Sequence, residues 1–455
     1  MSLKKVLLVT PFFAPQSHAA VFRVHKLAKY LPRFGWKPYI VTTDTNYLYN
    51  EDPKLLADLP PEVEIHRVRY VEPTLRGLRM ALGGKDRSFA AKKDNLIGGI
   101  DREYEQPTSI PGRGQRLYSW FLDHWLQVPD PYWTWRRTAK IAALELIERE
   151  KIQLVYTTCL PYSCNVIGRD LQRAGCTWVA DFRDPGTYSS RMSSSVPRVF
   201  EKQERIERET LRSADEVTVL ASSYALIFQD AYGAIRQAQY RFIPTGADEE
   251  FFPEAGIDSF DKGPFLLHSG EFLPEYGGEF FEVFAQVLEN PELKNLGVKL
   301  LFVGHSILNK RRVGPLANRL GIASHVEFLD HVPQQNLYEL MVRAEACLLL
   351  PGTSGLWWTN FAKMVDCIAL GAPVLAMVPD PSESRTELRK AGIGVFLDGD
   401  RSSSVKIVTD LLLGRLGKFE VDRSRQEVYT AVSQAESFSR VFEGLLAPLS
   451  KSRSI

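Results

Sequence analysis

The chain has 455 residues, more than one hydrophobic core usually organises, so two domains are expected. Its 56 Lys and Arg stand against 55 Asp and Glu, a net charge of +1, which excludes the global basic field that holds nucleic acid by counterion release. A hydrophobic content of 44% with 24% charged residues excludes a disordered or collagen-like chain and predicts a large buried core. No run approaches the roughly 18 apolar residues that a membrane span needs, and the N-terminus lacks a signal-peptide pattern, so a cytoplasmic protein is expected. The five cysteines form no CxxC pair and the eight histidines no HxxxH, so reduced thiols and no zinc site are expected.

Short β-branched or leucine-rich runs alternate with longer segments of helical period, the pattern of βαβ units and parallel sheets covered on both faces. In the first half, strands are predicted at 6–10, 39–43, 64–69, 154–157, 178–182 and 216–220. The first strand leads through a Pro-rich loop into a helix whose Val21, Val24, Leu27, Ala28 and Leu31 are spaced to face the sheet. Residues 71–131, with Gly83-Gly84, Gly98-Gly99 and a turn-rich 107–114, are too long for a plain loop and read as an irregular insertion. Its later part, 117–126, is aromatic-rich and follows Arg113 and Arg116. Packing of these rings on the domain core is the favoured expectation, and peripheral membrane contact through 113–126 the alternative. A turn-rich join, Ile243-Pro244-Thr245-Gly246-Ala247-Asp248, ends the first half. Strands at 265–269, 300–303, 326–329, 347–350, 374–378 and 395–397 then predict a second doubly wound sheet. A final helix over 423–446, with Val428, Val432, Phe438, Val441, Phe442, Leu445 and Leu446, needs a surface to cover.

In open α/β sheets ligands bind at the carboxyl ends of the strands, where the topology switches, so the loops after strands carry the chemistry. Neither GxGxxG nor GxxxxGK[ST] is present, which removes the sequence support for a nucleotide-binding oxidoreductase or a P-loop enzyme. What is present is an ordered set of motifs. The first strand and its Pro-rich loop are followed by Arg23 one turn into the helix and by Phe34-Gly35-Trp36. Then come Thr158-Cys159-Leu160-Pro161-Tyr162-Ser163, Asp181-Phe182-Arg183-Asp184-Pro185 and the 243–248 turn. The second half adds Val303-Gly304-His305, Phe328-Leu329-Asp330-His331-Val332-Pro333 and the run from Lys363 to Val374. In this order they resemble the GT-B glycosyltransferases of family 4, whose interdomain turn reads "PNGVD", across most of the chain.

That resemblance implies an α/β GT-B architecture of two Rossmann-like, doubly wound parallel-sheet domains facing across a cleft. An acceptor-binding domain would occupy 1–243, a nucleotide-sugar-binding domain 244–422, and a helix in 423–455 would return to the first domain. The implied activity moves a sugar from a nucleotide diphosphate sugar to a glycan or lipid-linked acceptor in surface polysaccharide synthesis, without a metal and without a cofactor beyond that co-substrate. A catalytically idle GT-B scaffold that binds a glycan or a partner is the alternative.

A leaving diphosphate carries negative charge, so the site must offer cations or aligned amides. In metal-independent relatives an Arg and a Lys supply them from the loop after the first strand of the second domain, where this chain has Glu271 and Tyr276. Arg23, Lys363 and the Lys310-Arg311-Arg312 run are the substitutes available, the run itself reading as a solvated helix face. Gly270, Gly277 and Gly278 allow backbone amides to approach phosphate, while Ala19-Ala20 replaces the paired glycines of the family's first loop. Asp366 matches the carboxylate that binds the nucleotide ribose, and Trp358 stands at the position of the other acid of that motif. Trp357 and Trp358 are read as stacking on a ligand or packing in the core. On the acceptor side, Asp184 is a general base if the reaction inverts the anomeric centre. It orients the acceptor if the leaving phosphate takes the proton, the retaining course the family favours. Arg183 either joins it in catalysis or clamps the loop, and His18 is a further acceptor-side candidate.

Overall fold

The computed structural model describes residues 3–44, 51–83, 113–189, 193–233, 235, 240–254, 263–273 and 276–451. The Gly98-Gly99 pair and most of the turn-rich 107–114 stretch lie outside them. The described residues divide into two compact units, one holding those up to Pro244 together with those from Gln434 onward, the other holding those within Thr245–Ser433.

The first unit is built on a seven-stranded sheet in the order β3-β2-β1-β4-β5-β6-β7. Its strands are β1 (Lys4–Val9), β2 (Trp36–Thr43), β3 (Glu64–Val68), β4 (Leu154–Cys159), β5 (Thr177–Phe182), β6 (Glu216–Val219) and β7 (Arg241–Phe242). All pairings are parallel, from Lys4 opposite Trp36 in β1–β2 to Val219 opposite Phe242 in β6–β7. The apolar run of β1 is buried on both faces because helices cover both. On one face Leu7, Val9, Tyr39, Val41 and Val155 meet Trp135, Ala139 and Leu146 of the helical segment beside them. The sheet order reverses between β1 and β4, so the loops that follow these two strands diverge and leave room at their carboxyl ends.

The second unit repeats the plan with six strands in the order β10-β9-β8-β11-β12-β13. They are β8 (Phe265–Ser269), β9 (Lys299–Val303), β10 (Val326–Leu329), β11 (Ala346–Leu349), β12 (Val374–Ala376) and β13 (Gly394–Phe396). Its core includes several phenylalanines: Phe280, Phe281 and Phe284 of the helix Glu279–Val287 are all buried in one cluster with Phe302 of β9. Phe281 and Phe302 stack with centroids 6.3 Å apart, and burying each such ring contributes about 1.5–3 kcal/mol. The switch point here lies between β8 and β11.

The expected single C-terminal helix is two, Arg423–Val428 and Ala431–Lys451. The break has a backbone cause. Ala247 N–H donates to the Tyr429 carbonyl at 2.7 Å, and Ala431 N–H donates to the Ala247 carbonyl at 2.7 Å. This short parallel bridge takes the groups that a continuous helix would have used. The first helix stays in the second unit, with Gln426 donating to the Ala369 carbonyl. From Gln434 the second helix belongs to the first unit. There Phe438 meets Tyr156 edge-on, Phe442 meets Trp36, and Ser439 accepts from the Trp36 indole at 3.0 Å. Among the described residues no helix is long and apolar enough to cross a membrane.

Candidate functional site

In the first unit, the carboxyl ends of β1, β4 and β5 bring three loops together around Arg183. Its guanidinium donates to the Ala20 carbonyl at 2.9 Å and to the Leu160 carbonyl, and it lies over the Phe12 ring. Arg183 therefore ties the loop after β5 to the loops after β1 and β4, and Asp184 follows it directly, half-buried. His18 caps the helix Ala19–Tyr30, its Nδ1 accepting from Ala20 N–H at 3.3 Å while Nε2 meets Gln16 Oε1 at 3.3 Å. Burial, then the Arg183 charge, push its imidazole down to about 4, so the ring is neutral near pH 7.

Arg23 lies elsewhere. It is 1% exposed, and its Nε and Nη2 donate to the two oxygens of Asp181 at 2.8 and 2.7 Å, with Nη2 also on the Ile243 carbonyl. Asp181 accepts further bonds from the hydroxyls of Tyr156 and Thr218 at 2.7 and 2.6 Å. Burial opposes its charge, yet the Arg23 guanidinium and these hydroxyls hold the carboxyl below its ordinary range. The pair joins the helix, β4, β5 and β6 inside the core, so the Arg23 guanidinium is committed to structure instead of lying at the strand ends.

In the second unit the loops after β8 and β9 are locked by one buried side chain, Asn309 of the helix Ser306–Arg319. Its Nδ2 donates to the Gly270 carbonyl at 3.0 Å and the Gly304 carbonyl at 2.7 Å, and its Oδ1 accepts from Phe272 N–H at 2.8 Å. Gly270 has φ +83°, and a Cβ placed on it would meet nothing within 4 Å, so its backbone is open to a close approach. Lys310 and Arg311 are exposed, as a solvated helix face requires, but Arg312 departs from that reading. It turns onto the β8 loop and donates to Glu271 Oε1 and to the Phe272 carbonyl, both at 2.6 Å. The side chains of this ion pair are 17% and 18% exposed. Beside it, His305 packs edge-on against His331 with centroids 4.7 Å apart, and burial followed by that second ring lowers the His305 imidazole.

Lys363, near the start of the helix Ala362–Leu370, donates from Nζ to His268 Nε2 on β8 at 2.9 Å. Burial pushes the Lys363 ammonium down to about 8, and burial with the Lys363 charge pushes His268 well below its usual value. A neutral imidazole thus accepts from a cation. Asp366, three residues on, is half-buried and accepts from the Tyr338 hydroxyl at 2.9 Å. Tyr276, at the second of the two expected cation positions, is buried edge-on against Phe272. Gly277 is exposed just before the helix Glu279–Val287, and no hydrogen bond links it to the Gly270 loop among those described. Trp358 is buried and Trp357 is 40% exposed.

No protein-family profile and no curated protein sequence matches the chain. Solved structures do match it over nearly its whole length. Sucrose-phosphate synthase from Thermosynechococcus elongatus is similar with a TM-score of 0.62 at 15% identity, over 98% of this chain and 100% of that one. The lipopolysaccharide outer core galactosyltransferase WaaB, in its apo form, gives 0.55 at 11% identity, over 97% and 99%. The N-terminal domain of Candida albicans trehalose-6-phosphate phosphatase gives 0.54 at 13%, over 97% and 96%. The chain has the GT-B fold. At these identities the likeness speaks for architecture alone, and the names attached to the three structures differ in chemistry.

The structure places Gly270 and Lys363 beside β8 of the second sheet, with Asp366 further along the Lys363 helix, and His18, Arg183 and Asp184 at the carboxyl ends of the central strands of the first. The sequence pattern missed Asn309 and the inward turn of Arg312. The signal for both was helical spacing: 309, 312 and 313 share one face, while the adjacent 310 and 311 point away.

Proposed function

We propose that the protein is a glycosyltransferase resembling family 4, moving a sugar from a nucleotide diphosphate sugar to a glycan or lipid-linked acceptor in surface glycan synthesis. The observation that carries this reading is the pair of loops at the switch point of the second sheet. Asn309 holds them in place, Gly270 leaves backbone open, and two cations reach β8 and its loop, Arg312 at Glu271 and Lys363 at His268. Positive charge and open backbone at a strand end suit a diphosphate. Support also comes from solved structures of the same fold, a sucrose-phosphate synthase and a lipopolysaccharide outer core galactosyltransferase.

In this reading Arg312 and Lys363 stabilise the charge that develops on the leaving diphosphate, and Gly270 lets it approach the backbone. Gly277 offers a further exposed amide, and Asp366 accepts from the ribose hydroxyls. The transfer retains configuration and needs no metal: the bond between the anomeric carbon and the diphosphate oxygen breaks, the acceptor oxygen bonds on the same face, and its proton passes to the leaving phosphate. Asp184 orients the acceptor, and Arg183 fixes the loop that carries it. Arg23 and His18 take no part in contact with substrate, because the guanidinium is spent on Asp181 and the ring nitrogens on Ala20 and Gln16. Titration with UDP-, GDP- and ADP-sugars by calorimetry tests this: saturable binding of one class, with slow donor hydrolysis, is expected, and binding of none overturns it.

Peripheral membrane contact belongs to the same reading. The rings of Trp120, Phe121 and Trp125 do not pack on the core as expected: each is about half exposed, and Leu117 beside them is 66% exposed. Exposed Arg116 and Arg198 lie among them, the latter 3.9 Å from the Trp125 ring centroid. Aromatic and arginine side chains together suit an anionic headgroup layer. Co-sedimentation with anionic vesicles, lost on Trp120→Ser with Trp125→Ser, is the expected result; equal sedimentation with zwitterionic vesicles, or none at all, removes this part.

A further inference from the structure

The loop after β5 rests on a buried acid that the proposed chemistry does not use. Glu207, in the helix Pro197–Ser213, is fully buried. Its Oε2 accepts from Thr187 N–H at 3.1 Å and its Oε1 accepts from the Tyr232 hydroxyl at 2.6 Å. The Thr187 hydroxyl in turn bonds that of Tyr162 at 2.9 Å. The fit leaves no slack: Gly186 has φ +61°, and a Cβ placed on it would come within 1.8 Å of Glu207 Oε2. The turn Gly186–Tyr188 thus sits directly on the carboxyl, two residues beyond Asp184.

We infer that Glu207 is a positioning residue for the loop that presents Arg183 and Asp184, and that it holds the Gly186–Tyr188 turn as the neutral acid. This rests on the acceptor-side reading above. The carboxyl faces hydrogen-bond donors and thiol or phenol groups, and among the described residues its hydrogen-bond partners include no cation. From β4 it faces the buried Cys159 thiol, from the helix Tyr162–Arg173 the Tyr162 phenol, from its own turn Tyr188, and from the helix Ser223–Tyr232 the Tyr232 phenol. On its own helix stand Glu204, which adds a like charge, and Arg208, whose guanidinium bonds Glu204 and lies over the Tyr232 ring. Burial outweighs the hydrogen bonds from Tyr232 and Thr187, which favour the charged form, and pushes the Glu207 carboxyl up to about 8. As the acid, it keeps the carbonyl oxygen Oε2 for Thr187 N–H, while its protonated Oε1 donates to the Tyr232 oxygen, the reverse of the direction that contact takes with a carboxylate. Ionisation leaves an uncompensated charge in the cluster, and the turn is the lightest element able to move away from it.

The test is hydrogen exchange of the segment from Arg183 to Ser189 in the full-length protein at about pH 6 and about pH 9, corrected for the intrinsic rate, in wild type and Glu207→Gln. The glutamine keeps the size and the carbonyl and cannot ionise. Wild-type protection of Thr187 should fall about 50- to 100-fold across this range, the linkage expected when the opened turn frees a carboxyl of ordinary pKa and the closed one titrates near 8, and that of the variant should change less than about twofold. Strands β9 and β10 serve as the internal control. Equal pH dependence in the two proteins, or none in wild type, overturns the inference, and the wild-type measurement decides it alone should the variant fail to fold. If a donor and acceptor have been found, the alkaline fall of kcat should move upward in Glu207→Gln with donor affinity unchanged. If no transfer is detected while the exchange result holds, the acceptor-side reading fails and the role of Glu207 in holding the turn stands.

Discussion

Each unit contains an arginine paired with a carboxylate, and the two pairs differ in almost every respect that matters. Arg23 and Asp181 are shut away from water, bound in a two-pronged geometry, and Asp181 has hydroxyls of Tyr156 and Thr218 besides. Arg312 and Glu271 meet by one nitrogen and one oxygen at the end of a strand, both partly exposed. A saturated buried pair is a joint of the fold, since separating it leaves an uncompensated charge. A single-pronged pair that keeps some access to water contributes less to stability and can exchange one partner for an anion from solution. The sequence offers Arg23, Lys363 and the 310–312 run as substitutes for the missing cations; packing commits Arg23 to Asp181 and leaves Arg312 at a strand end, where the proposed function uses it.

The contrast breaks most readily at its buried end. Asp181→Ala should cost about 3–5 kcal/mol in urea denaturation, whereas Glu271→Ala should cost less than about 1 kcal/mol; similar losses would mean that the two pairs play the same part. Glu207 sharpens the point, being a buried acid bonded to an amide and a phenol instead of a guanidinium. Its carboxyl is raised from 4.5 to about 8, so the unfolded chain loses this proton before the folded one. The stability it lends is therefore complete below about pH 4.5, declines as pH rises, and is gone above about pH 8. Glu207→Gln should flatten that decline in denaturation midpoints taken across the same range. Arg312→Ala comes next, weakening donor binding by about 10- to 100-fold, the value of a charge-assisted bond, with Arg312→Lys recovering part of it. The smallest effect belongs to Glu271→Gln, which frees Arg312 from its internal partner and should tighten donor binding by about two- to fivefold in calorimetry.

Much of the architecture was legible in the sequence because parallel strands buried on both faces must be short, apolar and β-branched, and those runs stand out between helical periods. The short strand β7, Arg241–Phe242, was not, since two residues carry no period. The break in the C-terminal helix was hidden for another reason: the bridge between Ala247 and Thr430 is a contact made by backbone across a long stretch of chain. The aromatic segment misled in the opposite direction. Size and apolarity argued for burial of Trp120 and Trp125, but composition cannot say which side of a helix finds a neighbour. For the site, strand ends located Arg183, Asp184 and Gly270. The burial of Arg23 depended on Asp181 and Ile243, residues far away in the chain, and the inward turn of Arg312 was masked by the two exposed cations before it.

The three hydrogen bonds of Asn309 carry a last implication. Because one amide already fastens both loops, a nucleotide bound as the proposed function requires would meet a surface set in advance, with no loop-ordering entropy lost in the encounter. Association in the second unit should then follow a single kinetic phase, set by diffusion and local charge, with no slow rearrangement afterwards.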